Sequence, residues 1–213
     1  MTSAIPYDQS GRVQQKARTR AALLAAAREL LAEGVSPSVE QAADRAAISR
    51  TTAYRYFPNR RSLIAATFPV LEQASLLGDD PPDDVEERLE RLVDALTRQL
   101  LDHEPEYRAQ LRLSLEPAEG PREPLALRQG RAIGWLEDAL APLRGRLPKA
   151  ELRRLVLAIR ATIGIEAFVW LTDVGGVSRD EAVAIMRSSA LSLLRVAGED
   201  AGEAGRRGSR RRP

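Results

Sequence analysis

Apolar residues recur at helical spacing along most of the chain, and Gly, Pro and polar clusters divide the pattern into separate helices. The predicted helices span about residues 12–34, 39–46, 49–56, 60–77, 85–101, 107–115, 125–143, 149–174 and 178–197. Aromatic residues make up only 4% of the chain, while Ala, Leu and Arg are abundant, and this composition favours helices over sheets. The predicted fold is therefore all-α.

Two short helices follow the first long one, and each is preceded by a residue that can cap it. Ser38 stands before the first, and Gln41 three residues later gives the spacing of a capping box. Ser49 stands before the second, which ends at Pro58. The inward positions of the first short helix are mostly alanine, so a neighbouring helix can approach closely. The pattern predicts a helix-turn-helix.

The outward face of the second short helix suits a polyanion. Hydroxyl groups bond phosphate oxygens, and an arginine can bond a guanine edge with two parallel hydrogen bonds. The side chains left outward are Ser49, Arg50, Thr51, Thr52, Tyr54, Arg55 and Tyr56. The pattern alone leaves a second interpretation open, in which these are ordinary surface helices whose arginines are solvated.

The next helix carries two cations in its first turn. Asn59 can cap this helix, and Arg60 and Arg61 follow directly. The helix dipole disfavours cations there, so their presence indicates an external partner, for which a DNA phosphate is the obvious candidate. The first long helix also begins with basic residues, and we expect at least one of them to reach a phosphate. They are Arg12, Lys16, Arg18 and Arg20.

A specific run, Tyr54-Arg55-Tyr56-Phe57-Pro58-Asn59-Arg60, closes this region. In this run, and at further positions within roughly residues 15–65, the chain resembles the TetR/AcrR family of bacterial transcriptional repressors. The further positions are Ser38, Val39, Ala43, Ala46, Ala47, Ile48, Ser49, Thr52, Ala53 and Leu63. The remainder of the chain fits the family only by its length and helical pattern.

The resemblance implies a three-helix DNA-binding head and a larger helical regulatory body. It also implies a homodimer in which the last two helices of each copy form a four-helix interface, so that two heads bind a near-palindromic double-stranded DNA operator. The expected function is repression that responds to a small-molecule effector. A stripe of small residues fits the interface, although it could also pack inside one subunit. The stripe is Ala158, Ala161, Gly164 and Ala167.

The DNA-contacting residues are expected on both short helices and just after them. Arg50 and Thr51 are the first candidates for base edges, followed by Tyr54. Phosphate or positioning contacts are expected from Ser38, Ser49, Thr52, Tyr56 and Arg60. The chain departs from the family at Ala47, because the family usually has Gly in that turn. A left-handed conformation there would cost an alanine roughly 1 kcal/mol.

Charge is divided unevenly along the chain. Residues 1–62 hold ten basic and five acidic residues, a formal charge of +5, whereas residues 63–205 carry −8 and the arginines of 206–213 add +5. A basic head on an acidic body is expected when only the head meets DNA. The predicted organisation is a disordered arm (1–11), the head (12–62), the regulatory and dimerisation body (63–197) and a disordered basic tail (198–213).

A ligand cavity is expected between helices of the body. Glu166 is the strongest polar candidate, because an unpaired charge in its apolar stretch would be costly. It could meet a ligand, or an arginine such as Arg160 or Arg112. The candidate lining residues are His103, Tyr107, Arg112, Trp135, Glu166, Phe168 and Trp170.

An enzyme is not expected. The chain has one histidine, no cysteine and no phosphate-binding glycine loop or metalloprotease motif. No cofactor or metal site is predicted, since the aspartates of residues 79–84 fit helix capping better than metal binding. No secretory signal is visible, so a cytoplasmic location in a bacterium, at the nucleoid when bound to DNA, is expected.

The main alternative is a helical protein that binds a small molecule or a partner and whose head no longer reads DNA. Alanine at positions 42, 47 and 53 makes this conceivable, because the family often has larger residues at Ala42 and Ala53 and glycine at Ala47.

Overall fold

The computed structural model describes the backbone of residues 7–68, 75–116 and 130–209, and the side chains within these ranges except those of residues 7–10, 12 and 200–209. Parts of the predicted arm, tail and two predicted helices therefore lie outside the described residues. The described ranges are helical, and the all-α prediction is confirmed. Their only β-type pairing is one isolated bridge between Arg144 and Leu147.

The helices are α1 (Tyr7–Ala32), α2 (Val39–Arg45), α3 (Arg50–Tyr56), α4 (Arg60–Thr67), α5 (Val85–Asp102), α6 (Glu104–Leu115), α7 (Arg131–Ala139), α8 (Lys149–Thr162), α9 (Ile165–Val169) and α10 (Arg179–Ser209). A 3₁₀ turn, Ala141–Leu143, follows α7, and a π-helical turn, Trp170–Val174, follows α9.

The helices divide into two compact units. The first comprises Met1–Val70 and Pro105–Arg128, and the second comprises Leu71–Glu104 and Gln129–Pro213. This division differs from the predicted boundary at residue 62, because α4 and nearly all of α6 belong to the first unit. Shared burial explains the difference, since Leu31 of α1, Ile64 of α4 and the α6 residues Ala109 and Leu113 form one apolar cluster.

The core of the helix-turn-helix is built from small and medium apolar side chains. They are Leu23, Leu24, Ala27, Val39, Ala42, Ala43, Ala53, Phe57 and Leu63. Ala42, Ala43 and Ala53 are fully buried, so the alanine face predicted for the first short helix does bring its neighbours close. Burying these side chains fixes which faces of α2 and α3 remain outside.

Local capping by polar side chains agrees with the sequence. Ser38 Oγ accepts a hydrogen bond from the Gln41 N–H at 3.2 Å, and Gln41 Oε1 accepts one from the Ser38 N–H at 2.8 Å. Ser49 Oγ caps α3, and Asn59 Oδ1 caps α4. These bonds satisfy N–H groups that a helix start leaves without partners.

The turns after α1 and after α2 have the same hydrogen-bond pattern. In each, two N–H groups beyond the helix bond back to carbonyls of its last turn, as in a Schellman motif. The residue in the left-handed region is Gly34 in the first turn, with φ +81°, and Ala47 in the second, with φ +54°. The left-handed conformation considered for Ala47 is therefore present, and it lies between α2 and α3.

Arg88 anchors α5 inside the second unit. It is buried, and its guanidinium donates to the backbone oxygens of Pro82, Asp138 and Ala139 at 2.9–3.0 Å. Carbonyls at the end of α7 thereby gain a charged donor. The surrounding core includes Leu89, Leu92, Val93, Leu136, Val156, Ile159, Phe168 and Met186. The helical pattern of α5 did not predict the burial of this arginine.

The single helix predicted over 149–174 is wrong, because the chain leaves the helix at Ile163 and Gly164. Arg160 stabilises the break by donating to the Ile163 carbonyl at 3.2 Å and to Glu166 Oε2 at 3.5 Å. By length and composition alone, Lys149–Val174 is the one candidate membrane span among the described residues. The helix is interrupted at Gly164, and Ile159 and Ile165 on either side of the break are buried.

Two helices extend further than predicted. The backbone is helical from Tyr7, within the predicted arm, and to Ser209, within the predicted tail. Both extensions are free of proline over the helical residues. The second extension is helical although residues 198–209 include four glycines.

Candidate nucleic-acid interface

Helix α3 presents its polar face outward because Ala53 and Phe57 are buried against α1 and α2. The three residues predicted to contact base edges all lie on the open side. Arg50 has 66% of its side chain exposed, Thr51 is exposed, and Tyr54 is 42% exposed. A short helix with these side chains in solvent has the chemistry needed to read a DNA groove.

The predicted positioning residues differ in how available they are. Ser38 and Ser49 use their hydroxyl oxygens as caps, and Ser49 Oγ also donates to Thr52 Oγ1 at 2.9 Å. Thr52 and Tyr56 are half-buried, and Tyr56 packs against the apolar cluster of the helix-turn-helix. Ser38 lies at the start of α2, whereas Ser49, Thr52 and Tyr56 lie at the start of α3 and along it, and hydroxyl groups of this kind can bond phosphate oxygens.

Two carboxylates of α2 contact the exposed face of α3. Asp44 Oδ2 lies 3.3 Å from Arg50 Nη2, and Tyr54 donates its phenolic hydrogen to Glu40 Oε1. The hydrogen bond from Tyr54 lowers the pKa of Glu40 from its ordinary 4.5 to about 2, and the same bond raises the pKa of Tyr54. Glu40 is therefore ionised near neutral pH. Neither acid was among the predicted site residues, although their spacing of four residues places them on one helix face.

The arginines in the first turn of α4 have partners within the first unit. Arg60 donates to Ser36 Oγ at 2.6 Å and to Glu116 Oε1 at 3.4 Å, and Arg61 donates to the Leu113 carbonyl at 3.1 Å. Leu113 lies in the last turn of α6, where a cation is favoured by the dipole. The partner expected from the dipole of α4 is therefore present within the first unit. It is formed by residues at the end of α6 and in the turn after α1.

Arg20 lies beside α3 on the surface of α1. Its guanidinium carbon is 5.6 Å from the centroid of the Phe57 ring, within cation–π range. Lys16 and Arg18 are exposed on the same helix. The side chain of Arg12 lies outside the described residues.

The residues predicted to line a ligand cavity are divided between the two units. Tyr107 and Arg112 belong to the first unit, where Tyr107 packs edge-on against Phe68 with ring centroids 4.6 Å apart. In the second unit Trp135 and Phe168 are core residues, His103 ends α5, and Trp170 is 61% exposed. Glu166 pairs with Arg160 at 3.5 Å, which is the internal arginine considered from the sequence.

The second unit contains a cavity of about 780 Å³ at the start of α8. It combines apolar side chains with three basic ones and one acid. Its lining residues are Glu137, Arg144, Gly145, Leu147, Lys149, Leu152, Arg153 and Val156. None of the predicted ligand residues is among them. A smaller groove of about 340 Å³ lies between α8 and α10, and among the residues lining it are Leu155, Ala158, Leu193 and Val196.

The described residues contain no cluster of three or more His, Cys, Asp or Glu side chains able to hold a metal ion. Asp84 Oδ1 accepts from the N–H groups of Glu86 and Glu87 at 2.9 and 3.0 Å, so this aspartate is a helix cap.

Comparison with known proteins connects this geometry to a family. Residues 23–67 match the family model for bacterial regulatory proteins of the tetR family, and this range includes α2, α3 and α4. A crystal structure of a TetR transcriptional regulator from Rhodococcus sp. RHA1 superposes with a TM-score of 0.53 at 22% identity. The match covers 83% of this chain and 96% of that one. No curated protein shows significant similarity to the chain.

Proposed function

The chain is a DNA-binding regulator of the tetR family, and we propose that it acts as a ligand-responsive repressor that binds a near-palindromic operator as a homodimer. The observation that carries the proposal is the exposed face of α3, where Arg50, Thr51 and Tyr54 point outward from a helix whose other side is buried. In this role Arg50 and Thr51 contact base edges with Tyr54 beside them. The N-cap residues Ser38 and Ser49 bind phosphates and thereby position α3 on the DNA. A regulator of this kind acts in the cytoplasm.

Pairing through α8 and α10 is supported by what these helices expose. Leu157 of α8 is 44% exposed and Val196 of α10 is 56% exposed, beside the groove lined by Ala158 and Leu193. Exposed apolar residues next to small ones suit close packing against a second copy. Two heads would then read two half-sites related by the dimer axis.

The cavity at the start of α8 supports an effector site in the second unit. Its volume of about 780 Å³ falls in the range of small-molecule sites, and it mixes an apolar wall with charged groups. An effector bound there, in place of the scattered residues named from the sequence, would relieve repression by favouring a dimer whose heads no longer match the operator spacing.

A gel-shift titration against the DNA upstream of the protein's own gene tests the proposal. We expect a shift on that DNA at concentrations that leave an unrelated duplex of equal length free. Equal affinity for both duplexes, or no binding to either, would favour the alternative of a helical binding protein without DNA reading. A thermal-shift screen of small molecules, followed by release of bound DNA, tests the effector step separately.

A further inference from the structure

The acids of the first unit that face α3 form a matched arrangement with its exposed donors. Glu40 and Asp44 lie four residues apart on α2, and Arg50 and Tyr54 lie four residues apart on α3. Asp44 meets Arg50 at 3.3 Å, and Glu40 accepts the hydrogen bond from Tyr54. Two acids one turn apart on α2 therefore contact two side chains one turn apart on α3, each acid contacting one of them. We call Glu40 and Asp44 the carboxylate pair.

We propose that the carboxylate pair sets the sequence specificity of DNA binding. The two acids hold Arg50 and Tyr54 in position for base edges, and their charges weaken binding to DNA that offers these side chains no base partners. This inference rests on the proposed function, in which α3 reads DNA. Glu40 and Asp44 are thus positioning residues that act through Arg50 and Tyr54.

Positioning follows from the exposure of the side chains. Arg50 is long and 66% exposed, so without a partner it would sample many rotamers and lose that freedom on binding. The contact with Asp44 restricts the guanidinium in advance, and the Tyr54–Glu40 bond fixes the phenol in the same way. Side chains ordered before binding lose less entropy when they meet the correct base.

Discrimination follows from the sign of the charges. Residues 1–62 carry a net +5, which attracts the phosphates of any sequence. Two carboxylates at the reading face oppose this attraction, and their contacts with Arg50 and Tyr54 hold these side chains back from the phosphates of non-matching DNA. Only a sequence that gives Arg50 and Tyr54 good hydrogen bonds offsets that repulsion. A repulsive element of this kind separates the correct partner from the others. Both carboxylates are ordinary acids that are ionised at physiological pH, and the hydrogen bond from Tyr54 lowers the pKa of Glu40 further.

Another acid of the same unit provides a matched control. Glu33 is bound by Arg45 through two hydrogen bonds of 2.8 and 2.9 Å, and its contacts do not involve α3. Glu33→Gln therefore removes one negative charge from the head, as Glu40→Gln does, and leaves the contacts of Arg50 and Tyr54 unchanged. A change caused by net charge alone would appear equally in both variants.

The experiment compares binding to a selected operator with binding to a scrambled duplex of the same length and base composition. It uses the full-length chain and the variants Glu40→Gln, Asp44→Asn, their combination, and Glu33→Gln, at two or more salt concentrations. We expect the combined variant to bind scrambled DNA more tightly and to lose about tenfold in the ratio of operator to scrambled affinity, since each charge acts within a few ångströms of the readers. Base preference at the positions read by Arg50 and Tyr54 should weaken in a binding-site selection. Glu33→Gln should change the ratio by less than about twofold.

A ratio that stays unchanged, or that rises, in the combined variant would overturn the inference while leaving the proposed function intact. A wild-type chain that does not prefer any operator would instead overturn the proposed function and this inference with it. Tyr54→Phe provides a second test without altering charge on α2. In that background Glu40→Gln should lower the ratio less than it does in the wild type, and an equal reduction in both would contradict the positioning role.

Discussion

The exposed face of α3 and the first turn of α4 both carry arginines that the sequence assigns to DNA, yet their surroundings differ. Arg50 of α3 is 66% exposed and pairs with the exposed carboxylate of Asp44. Arg60 of α4 is 36% exposed and bonds Ser36 and Glu116, while Arg61 caps the end of α6. One region is open to an incoming molecule, and the other is already engaged in holding the first unit together.

The difference shows that an arginine in the first turn of a helix can bind another part of the protein as well as DNA. The dipole of α4 favours a partner for Arg60 and Arg61, but it does not determine whether that partner is DNA or another helix. The contact between Arg60 and Glu116 joins residues 56 positions apart. We therefore expect substitutions on the exposed face of α3 to weaken DNA binding, and substitutions in the first turn of α4 to lower the stability of the fold.

The largest effect is expected from Arg50→Ala. It should weaken operator binding by about 1–3 kcal/mol and relax the preference at one base pair of each half-site. Fluorescence anisotropy titrations with the operator and with single-base variants measure both quantities. Its thermal stability should match that of the wild type, since an exposed ion pair contributes little.

Arg55→Ala is the matched control for this prediction, because it removes the same charge from the same helix. It should leave the base preference unchanged. If Arg55→Ala relaxed the preference and Arg50→Ala did not, the assignment of the reading face would have to be revised.

Arg60→Ala should act first on stability. Loss of the bonds to Ser36 and Glu116 is expected to lower the free energy of unfolding by about 1 kcal/mol, measured by urea denaturation. If Arg60 also contacts a phosphate, binding to all sequences weakens and the salt dependence flattens. Glu116→Gln separates the roles, because it breaks the ion pair without removing the arginine. An Arg60→Ala variant as stable as the wild type would contradict its role within the unit.

Ala47→Gly should stabilise the turn that leads into α3. Relief of the left-handed strain at φ +54° is partly offset by the greater freedom of glycine in the unfolded chain, which leaves a net gain of about 0.5 kcal/mol. Gly34→Ala, at the equivalent position of the turn after α1, should destabilise instead. Thermal unfolding of both variants measures the contrast, and changes of the same sign would refute it.

The smallest effect concerns pH and the bond between Tyr54 and Glu40. Because the folded pKa of Glu40 is depressed from 4.5 to about 2, its contribution to stability is complete above about pH 4.5 and is lost as pH falls towards 2. The wild type should therefore exceed Tyr54→Phe in stability by a constant amount above pH 4.5, and the gap should close below it. Urea denaturation at a series of pH values measures this difference in the free energy of unfolding. A difference that does not depend on pH would show that Glu40 is not its cause.

Local features of the head could be predicted from the sequence because neighbouring residues determine them. Ser38, Ser49 and Asn59 each cap the helix that follows directly, by accepting a hydrogen bond from the N–H group three residues later. Gly34 ends α1 through its left-handed backbone conformation. Contacts over longer distances could not be predicted. The partners of Arg60 depend on where α6 lies, and a sequence pattern does not give that position.

The second unit shows the same limit more strongly. Periodicity predicted α5 to within a residue, yet it ran through the break at Gly164, which depends on Arg160 bonding the Ile163 carbonyl and Glu166. The aromatic and charged residues chosen for a ligand site are distributed between core, surface and the first unit. The cavity at the start of α8 is lined mainly by aliphatic and basic residues, which a search for aromatic side chains does not select.

The most direct test of DNA reading by α3 is a binding-site selection from random duplex DNA with the full-length chain. DNA reading by α3 in a dimer predicts enrichment of a near-palindrome whose half-sites are separated by about one helical turn. It further predicts that Arg50→Ala loses preference at one position in each half-site while Arg60→Ala keeps the wild-type motif. Selection without an enriched motif, or the same motif from Arg50→Ala as from the wild type, would contradict it.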